Sequence, residues 1–170
     1  MFRAILRRLF FSQTLILSTC YAMNVLLIVD KIEIKKQSDG LGDQLYFYVI
    51  DEKANGKRSA ELYPMYPFSY TQSNLVNFKP TVFWKGLVQQ DQKVLLTLSV
   101  IEREMPPLIA DQLCGTIGIT LHNDKNQLKA LWSVENFAHL LSKDHTLLTQ
   151  QIDIKHENAE YTLKMHVEVQ

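Results

Sequence analysis

The sequence predicts a mainly β fold, an antiparallel β-sandwich of eight or nine strands with one short crossover helix. Apolar and polar residues alternate with a period of two over most of the chain, and clusters of turn-forming residues recur about every ten residues. No internal repeat, low-complexity tract or linker divides the 170 residues. We therefore expect a single sandwich domain over residues 23–170, after a leader over residues 1–22.

Eight segments carry the strand pattern. The clearest is KVLLTLSVIE, in which Val94, Leu96, Leu98 and Val100 share one face. QLYFYVID is rich in aromatic and β-branched residues, which favour strands. Asn55-Gly56 is a hairpin-type turn signal. The predicted strands cover residues 25–36, 44–51, 81–88, 93–102, 115–122, 128–134, 147–155 and 161–169.

One segment departs from the two-residue period. In SVENFAHLLS, residues 133–142, the apolar Val134, Phe137, Ala138 and Leu141 recur at helical spacing. Ser133 is a suitable N-cap. This pattern predicts the short helix that crosses between strands.

Composition and charge exclude one large class of partner. The chain has 18 basic and 18 acidic side chains, so it offers no polyanion-binding surface and no nucleic acid is expected. Arg3, Arg7 and Arg8 lie in residues 1–22, which contain no acid. The remainder carries 15 basic and 18 acidic side chains, an excess of three acids. Such a domain gains no general attraction to anionic lipid.

The first 22 residues have the layout of a secretory signal, with arginines, an apolar stretch and then small residues. We expect export to the periplasm, the outer membrane or the medium, with cleavage after Ala22. Leu17-Ser18-Thr19-Cys20 resembles a lipoprotein signal, and lipidation at Cys20 is the alternative. If Met23 is the true start, the protein is cytoplasmic.

Acidic residues gather in two predicted loops. Glu102 and Glu104 end a strand at i, i+2 spacing and share one side. Calcium takes six to eight oxygen ligands, so the sequence offers a calcium set, and no other cofactor is expected. The alternative is that these acids are solvated and neutralised by Arg103 or Lys36. The candidate ligands are Asp39, Asp43, Glu102, Glu104 and Asp111.

Five consecutive apolar residues lie between these acids: Met105, Pro106, Pro107, Leu108 and Ile109. Exposed apolar groups mark contact sites, so this tip is expected to touch a protein partner or a membrane. The alternative is that Leu108 and Ile109 fold back and cap the sandwich. A second aromatic group, Tyr63, Tyr66, Phe68 and Tyr70, offers a partner surface or covers a sheet edge.

No motif for catalysis is present. The chain lacks a G-x-S-x-G elbow, a phosphate loop and a dinucleotide turn. The five histidines have no metal-ligand spacing, and Cys114 is interpreted as a small buried apolar residue. We therefore expect a protein that is not an enzyme. A secreted hydrolase with a carboxylate pair on the sandwich is an alternative.

The loop that begins at Glu102-Arg103-Glu104 resembles the third loop of C2 domains, with Asp111 as the later acid and Cys114-Gly115 opening the next strand. Asp39 and Asp43 correspond to the acids of their first loop, and Trp84 also looks similar. C2 domains are eight-stranded sandwiches whose loops bind calcium and phospholipid. This chain departs from their Asp-x-Asp pair by having two glutamates around an arginine, so its ligand set is degenerate.

The resemblance and the leader together imply a function. We expect a non-catalytic binding module of the bacterial cell envelope, which contacts a partner protein or a membrane through residues 37–43 and 102–113. By analogy, it suits an accessory component of a secretion apparatus. The alternatives are a calcium-dependent phospholipid-binding domain and the secreted hydrolase.

Overall fold

The computed structural model describes residues 21–37, 42–53, 56–104 and 110–170. These ranges form two antiparallel five-stranded sheets and one short helix, which confirms the predicted mainly β sandwich. No helix in them has the length and apolar character needed to cross a membrane. The elements are β1 Ala22–Lys36, β2 Leu45–Glu52, β3 Arg58–Tyr63, α1 Gln72–Leu75, β4 Thr81–Gln89, β5 Lys93–Glu102, β6 Gln112–Asp124, β7 Gln127–Asn136, β8 Ala138–Leu140, β9 Thr149–His156 and β10 Ala159–Val169.

The strands divide between two sheets. The first has the order β4-β1-β10-β9-β8, and the second has the order β3-β2-β5-β6-β7. All pairs of neighbouring strands in both sheets are antiparallel. β3 and β8 are additional to the eight predicted segments, which is why the described ranges hold ten strands and not eight or nine.

The core lies between the two sheets. The predicted face of β5 is inward, with Val94 6% exposed and Leu96 fully buried. β10 supplies the opposite layer with alternate residues such as Leu163 and Met165, which are also fully buried. One hydrophobic cluster joins residues of both sheets. Burial of each large apolar side chain contributes about 1.5–3 kcal/mol, so the period-two faces account for the sandwich.

The helix predicted over residues 133–142 is wrong. Asn136 ends β7 with a φ of 62°, a left-handed conformation that asparagine tolerates. The chain then changes sheet, and Ala138 pairs with Ile154 of β9 while its side chain enters the core. Phe137 O accepts a hydrogen bond from Lys155 N at 3.0 Å. The turn resets the alternation, and this reset produced the helix-like spacing.

The one helix in the described part of the chain is α1, a single turn in the irregular region that follows β3. Thr71 is its N-cap: the Thr71 side chain accepts from Asn74 N, and the Asn74 side chain accepts from Thr71 N at 2.8 Å. This reciprocal pair satisfies backbone donors at the start of the helix. α1 lies in the connection from β3 of one sheet to β4 of the other. At the segment that was predicted as a helix, the chain crosses between the sheets from β7 to β8.

Two of the predicted functional loops have their flanks at one end of the sandwich. Leu45 at the start of β2 pairs with Glu102 at the end of β5, and Arg103 N donates to Gln44 O at 2.7 Å. Residues 42–44, 102–104 and 110–112 are called the loop end below. Pairing of β2 with β5 thus brings the flank of residues 37–43 beside the flank of residues 102–113.

Candidate functional site

At the loop end, several strands carry a polar residue at or near the last inward position, whereas their other inward residues are mostly apolar. Glu102 continues the buried face of β5, and His156 continues the face of β9 after Ile154. Tyr161 follows the buried Ala159 by two residues near the start of β10, and Asp43 precedes β2 in phase with the buried Leu45. Together with one residue of β6 they form the buried polar cluster, which consists of Asp43, Glu102, Cys114, His156 and Tyr161.

Cys114 reaches this cluster because β6 is bulged. Val100 pairs with Gly115 and Ile101 pairs with Leu113, so Cys114 has no residue opposite it. Leu113 is 46% exposed, whereas Cys114 and Gly115 are both buried. β-bulges re-aim side chains in this way. Without the extra residue, strict alternation would turn Leu113 inward and Cys114 outward.

The five side chains of the cluster contact one another closely. Tyr161 Oη lies 2.7 Å from Asp43 Oδ2 and 3.0 Å from Glu102 Oε2. Since a phenol carries one hydrogen, it donates to one of these carboxylates at a time. Cys114 Sγ lies 4.0 Å from Glu102 Oε2 and 4.0 Å from His156 Nδ1. Each of the five residues is at most 8% exposed.

Burial and negative charge disfavour ionisation of two members of the cluster, Cys114 and Tyr161. Burial raises the pKa of the Cys114 thiol to about 12, and the carboxylates of Glu102, Asp43 and Glu104 add to this effect. Burial, followed by the hydrogen bond to Asp43, raises the pKa of Tyr161 far above its usual value. Because the thiolate is the nucleophilic form, this raised pKa disfavours a role for Cys114 as a nucleophile at neutral pH.

Three members of the cluster each offer a different type of metal-binding atom. Glu102, Cys114 and His156 present an oxygen, a sulfur and a nitrogen that all lie within 4.8 Å of one another. These are the ligand types of zinc sites. The cluster is thus suited to hold a metal ion, and its donors differ from the oxygen set that the sequence predicts for calcium.

The predicted calcium ligands meet in two pairs within the described ranges. Asp43 and Glu102 converge on the hydroxyl of Tyr161. Asp111 Oδ2 accepts from Tyr46 Oη at 2.7 Å, and Asp111 Oδ1 accepts from Glu104 N at 3.1 Å. Asp39 lies outside the described residues. Calcium binding by the full set stays a prediction.

Arg103 connects the loop end to an exposed apolar segment. Its Nη1 donates to Pro67 O at 2.9 Å. Its guanidinium lies 5.2 Å from the centre of the Tyr46 ring and 5.5 Å from that of Tyr66, within the range of cation–π attraction. The residues presented there are called the aromatic tip: Met65, Tyr66 and Phe68, which are 73%, 76% and 69% exposed.

The predicted aromatic group divides between core and surface. Tyr63 stacks on Phe83 with ring centres 4.5 Å apart, and Tyr70 packs against Phe47 at 5.7 Å. Tyr70 also exchanges two backbone hydrogen bonds with Leu45, of 2.8 and 2.7 Å. These inner contacts anchor both ends of the segment that carries the exposed Tyr66 and Phe68.

Several predicted positions lie outside the described residues. They are the lipidation candidate Cys20 and the apolar tip of Met105, Pro106, Pro107, Leu108 and Ile109. Conversely, His156 and Tyr161 were not predicted as site residues. Each of them occupies the next inward position of a strand whose other inward residues are mostly apolar: His156 follows Ile154 by two residues, and Tyr161 precedes Leu163 by two. Glu102 follows Val100 in the same way.

No protein-family model matches the chain, and the search of curated proteins found no match. The function is therefore inferred from the chemistry and geometry of the loop end and of the aromatic tip.

Proposed function

We propose that this protein is a non-catalytic binding module of the bacterial cell envelope, and that it contacts a partner protein through the loop end and the aromatic tip. One observation carries the proposal. Met65, Tyr66 and Phe68 are each more than two-thirds exposed. Large apolar side chains that are grouped on a surface mark contact sites.

The composition of the tip favours a protein partner. Aromatic residues, methionine and arginine are enriched in the buried centres of protein interfaces, and the tip combines these types around Arg103. Arg103 holds the backbone at Pro67 and lies near the rings of Tyr46 and Tyr66. A surface that is braced before binding loses less conformational entropy when the partner arrives.

Charge argues against a membrane as the main target. Beyond residues 1–22 the chain carries 15 basic and 18 acidic side chains. Anionic lipid surfaces attract clusters of lysine and arginine, and this excess of acids works in the opposite direction. A partner protein needs no such cluster, so it is the target that the charge balance supports.

Export belongs to the proposal because residues 1–22 have the order of a secretory signal. An exported binding module suits an accessory role in an envelope assembly, such as a secretion apparatus. This role rests on analogy, whereas the binding surface rests on exposure and contacts.

Site-specific photo-crosslinking tests the proposal. A photoreactive amino acid is placed at Phe68 in the full chain, and at Leu87 as the control, because Leu87 is also exposed (60%) but lies on β4. We expect one discrete envelope protein to crosslink from position 68 and not from position 87. Tyr66→Ala should weaken binding of the identified partner by roughly 10-fold or more, as at interface hot spots.

The contrary outcomes are equally specific. Crosslinks of equal yield from both positions would show that the aromatic tip has no special role. Flotation of the protein with lipid vesicles that is lost in Tyr66→Ala would show that the tip binds a membrane. Either result contradicts the proposal.

A further inference from the structure

We propose that Glu102, Cys114 and His156 bind a divalent transition metal ion of the zinc class, and that this ion joins the two sheets beneath the loop end. The three donor atoms lie within 4.8 Å of one another, and all three residues are buried. Cys114 Sγ is central, at 4.0 Å from both the Glu102 oxygen and the His156 nitrogen.

The spacing of the donors approaches that of a tetrahedral ion. Zinc bonds of about 2.3 Å to sulfur and about 2.0–2.2 Å to nitrogen and oxygen put neighbouring donors roughly 3.4–3.6 Å apart. The two 4.0 Å separations exceed this by a few tenths of an ångström. The Glu102 oxygen and the His156 nitrogen lie within 4.8 Å of each other, up to about 1.4 Å more than a tetrahedral ion requires. Binding would therefore require the Glu102 and His156 side chains to rotate toward each other and toward Cys114 Sγ.

The donor types select the ion. Thiolate and imidazole favour zinc and related transition metals, whereas calcium and magnesium prefer oxygen ligands alone. The proposed set shares Glu102 with the predicted calcium ligands but replaces the other acids with Cys114 and His156. Titration with each ion therefore separates the two hypotheses.

The surroundings hold the ligands in place. Tyr161 contacts both Glu102 and Asp43, an arrangement like the outer hydrogen bonds that orient metal-bound carboxylates. The ring of Phe137 packs edge-on against His156 with centres 4.7 Å apart. The bulge at Cys114 turns the thiol inward at the one level where the other two donors lie.

The site would connect separate parts of the fold. Glu102 and Cys114 belong to β5 and β6 of one sheet, and His156 belongs to β9 of the other. An ion bound by all three would add a link between the sheets at the end that carries Arg103. Metal binding that occurs only in the folded state stabilises that state.

The test uses the full chain, stripped with a chelator and titrated with zinc chloride, cobalt chloride or calcium chloride. We expect one zinc ion per chain and a higher Tm with zinc. We expect a sulfur-to-cobalt charge-transfer absorption with cobalt and no displacement of zinc by calcium. The chain has two cysteines, so Cys114→Ser should abolish this absorption and Cys20→Ser should keep it.

Histidine variants provide the matched control. His156→Gln should weaken zinc binding by at least about 100-fold, the upper range for loss of an outer-shell partner. His166→Gln should leave the zinc affinity unchanged. His166 also lies on the sheet of His156, on β10, but it pairs with Asp30 of β1 and not with the proposed ligands. Circular dichroism of each variant is the check that it is folded.

Each of the following results would overturn the proposal. They are no zinc binding by the stripped protein, equal zinc affinity in folded His156→Gln and wild type, and a cobalt–sulfur absorption that persists in Cys114→Ser. Loss of binding in His166→Gln alone would assign the metal to another site and would also refute it.

Discussion

The hydroxyl of Tyr161 lies 2.7 Å from Asp43 Oδ2 and so links two residues that are 118 positions apart in the chain. This contact also brings Glu102 Oε2 within 3.0 Å of the same hydroxyl. Two acidic side chains are thereby kept inside the sandwich at the loop end. The relationship underlies the buried polar cluster, because without the hydroxyl these side chains lose their shared donor.

Tyr161→Phe is expected to destabilise the protein by about 1–3 kcal/mol, since it removes a donor from buried acceptors. The matched control is Tyr63→Phe, whose hydroxyl donates to Glu61 at 2.5 Å on the surface. That exposed bond should change the free energy of unfolding by less than about 0.5 kcal/mol. Urea unfolding measures both, and equal losses would contradict a special role for Tyr161.

Asp51 is expected to make stability depend on acid pH. It is buried at 5% exposure and accepts hydrogen bonds from Ser59 N at 3.0 Å and from Trp84 Nε1 at 3.2 Å. Burial pushes the pKa of Asp51 upward, but the bonds from Ser59 and Trp84 outweigh it and leave the pKa below its usual 3.8. The charged form is therefore the one that the folded state stabilises.

A group whose pKa is lower in the folded state than in the unfolded state stabilises the protein at pH values above its unfolded-state pKa. This contribution is lost as the pH falls through the folded-state pKa. We expect Asp51→Asn to cost about 1–3 kcal/mol at pH 7. The difference in the free energy of unfolding between Asp51→Asn and wild type should then narrow as the pH falls below 3.8. Urea unfolding of both proteins at pH 7 and below pH 3.8 checks this, and a difference that stays constant would contradict it.

Two glycines are expected to respond differently to alanine. A Cβ at Gly86 would lie 2.2 Å from Trp84 Cζ2, in a ring that is only 7% exposed and bonded to Asp51. A Cβ at Gly118 would lie 2.5 Å from Ser133 Oγ, the end of a small and exposed side chain that has other rotamers available. Gly86→Ala should therefore lower stability by about 1–3 kcal/mol through overpacking.

Gly118→Ala, the matched control on β6, should have the smaller effect because Ser133 Oγ can move aside. Thermal unfolding compares the two variants, and near-ultraviolet circular dichroism reports the displacement of the Trp84 ring. A larger loss in Gly118→Ala would mean that Ser133 is more rigid than its contacts indicate.

Local patterning was sufficient to predict much of the sheet structure. The strand predicted over residues 93–102 coincides with β5, and its face from Val94 to Val100 is the buried one. This success is expected because the side-chain period of a strand is independent of its partner. The same rule failed where the chain changes sheets at Asn136, since pairing with β9 decides the conformation of Ala138–Leu140.

The sequence by itself determined the fold class, the position of most strands and the inward face of the strand over residues 93–102, because these follow from alternation along a short stretch of chain. Only the tertiary structure decided that Asp43, Glu102, Cys114, His156 and Tyr161 form one cluster. Their meeting depends on the pairing of strands distant in sequence and on a bulge at Cys114. One extra residue in a strand reverses which side chains point inward, and that reversal leaves no mark in the local pattern.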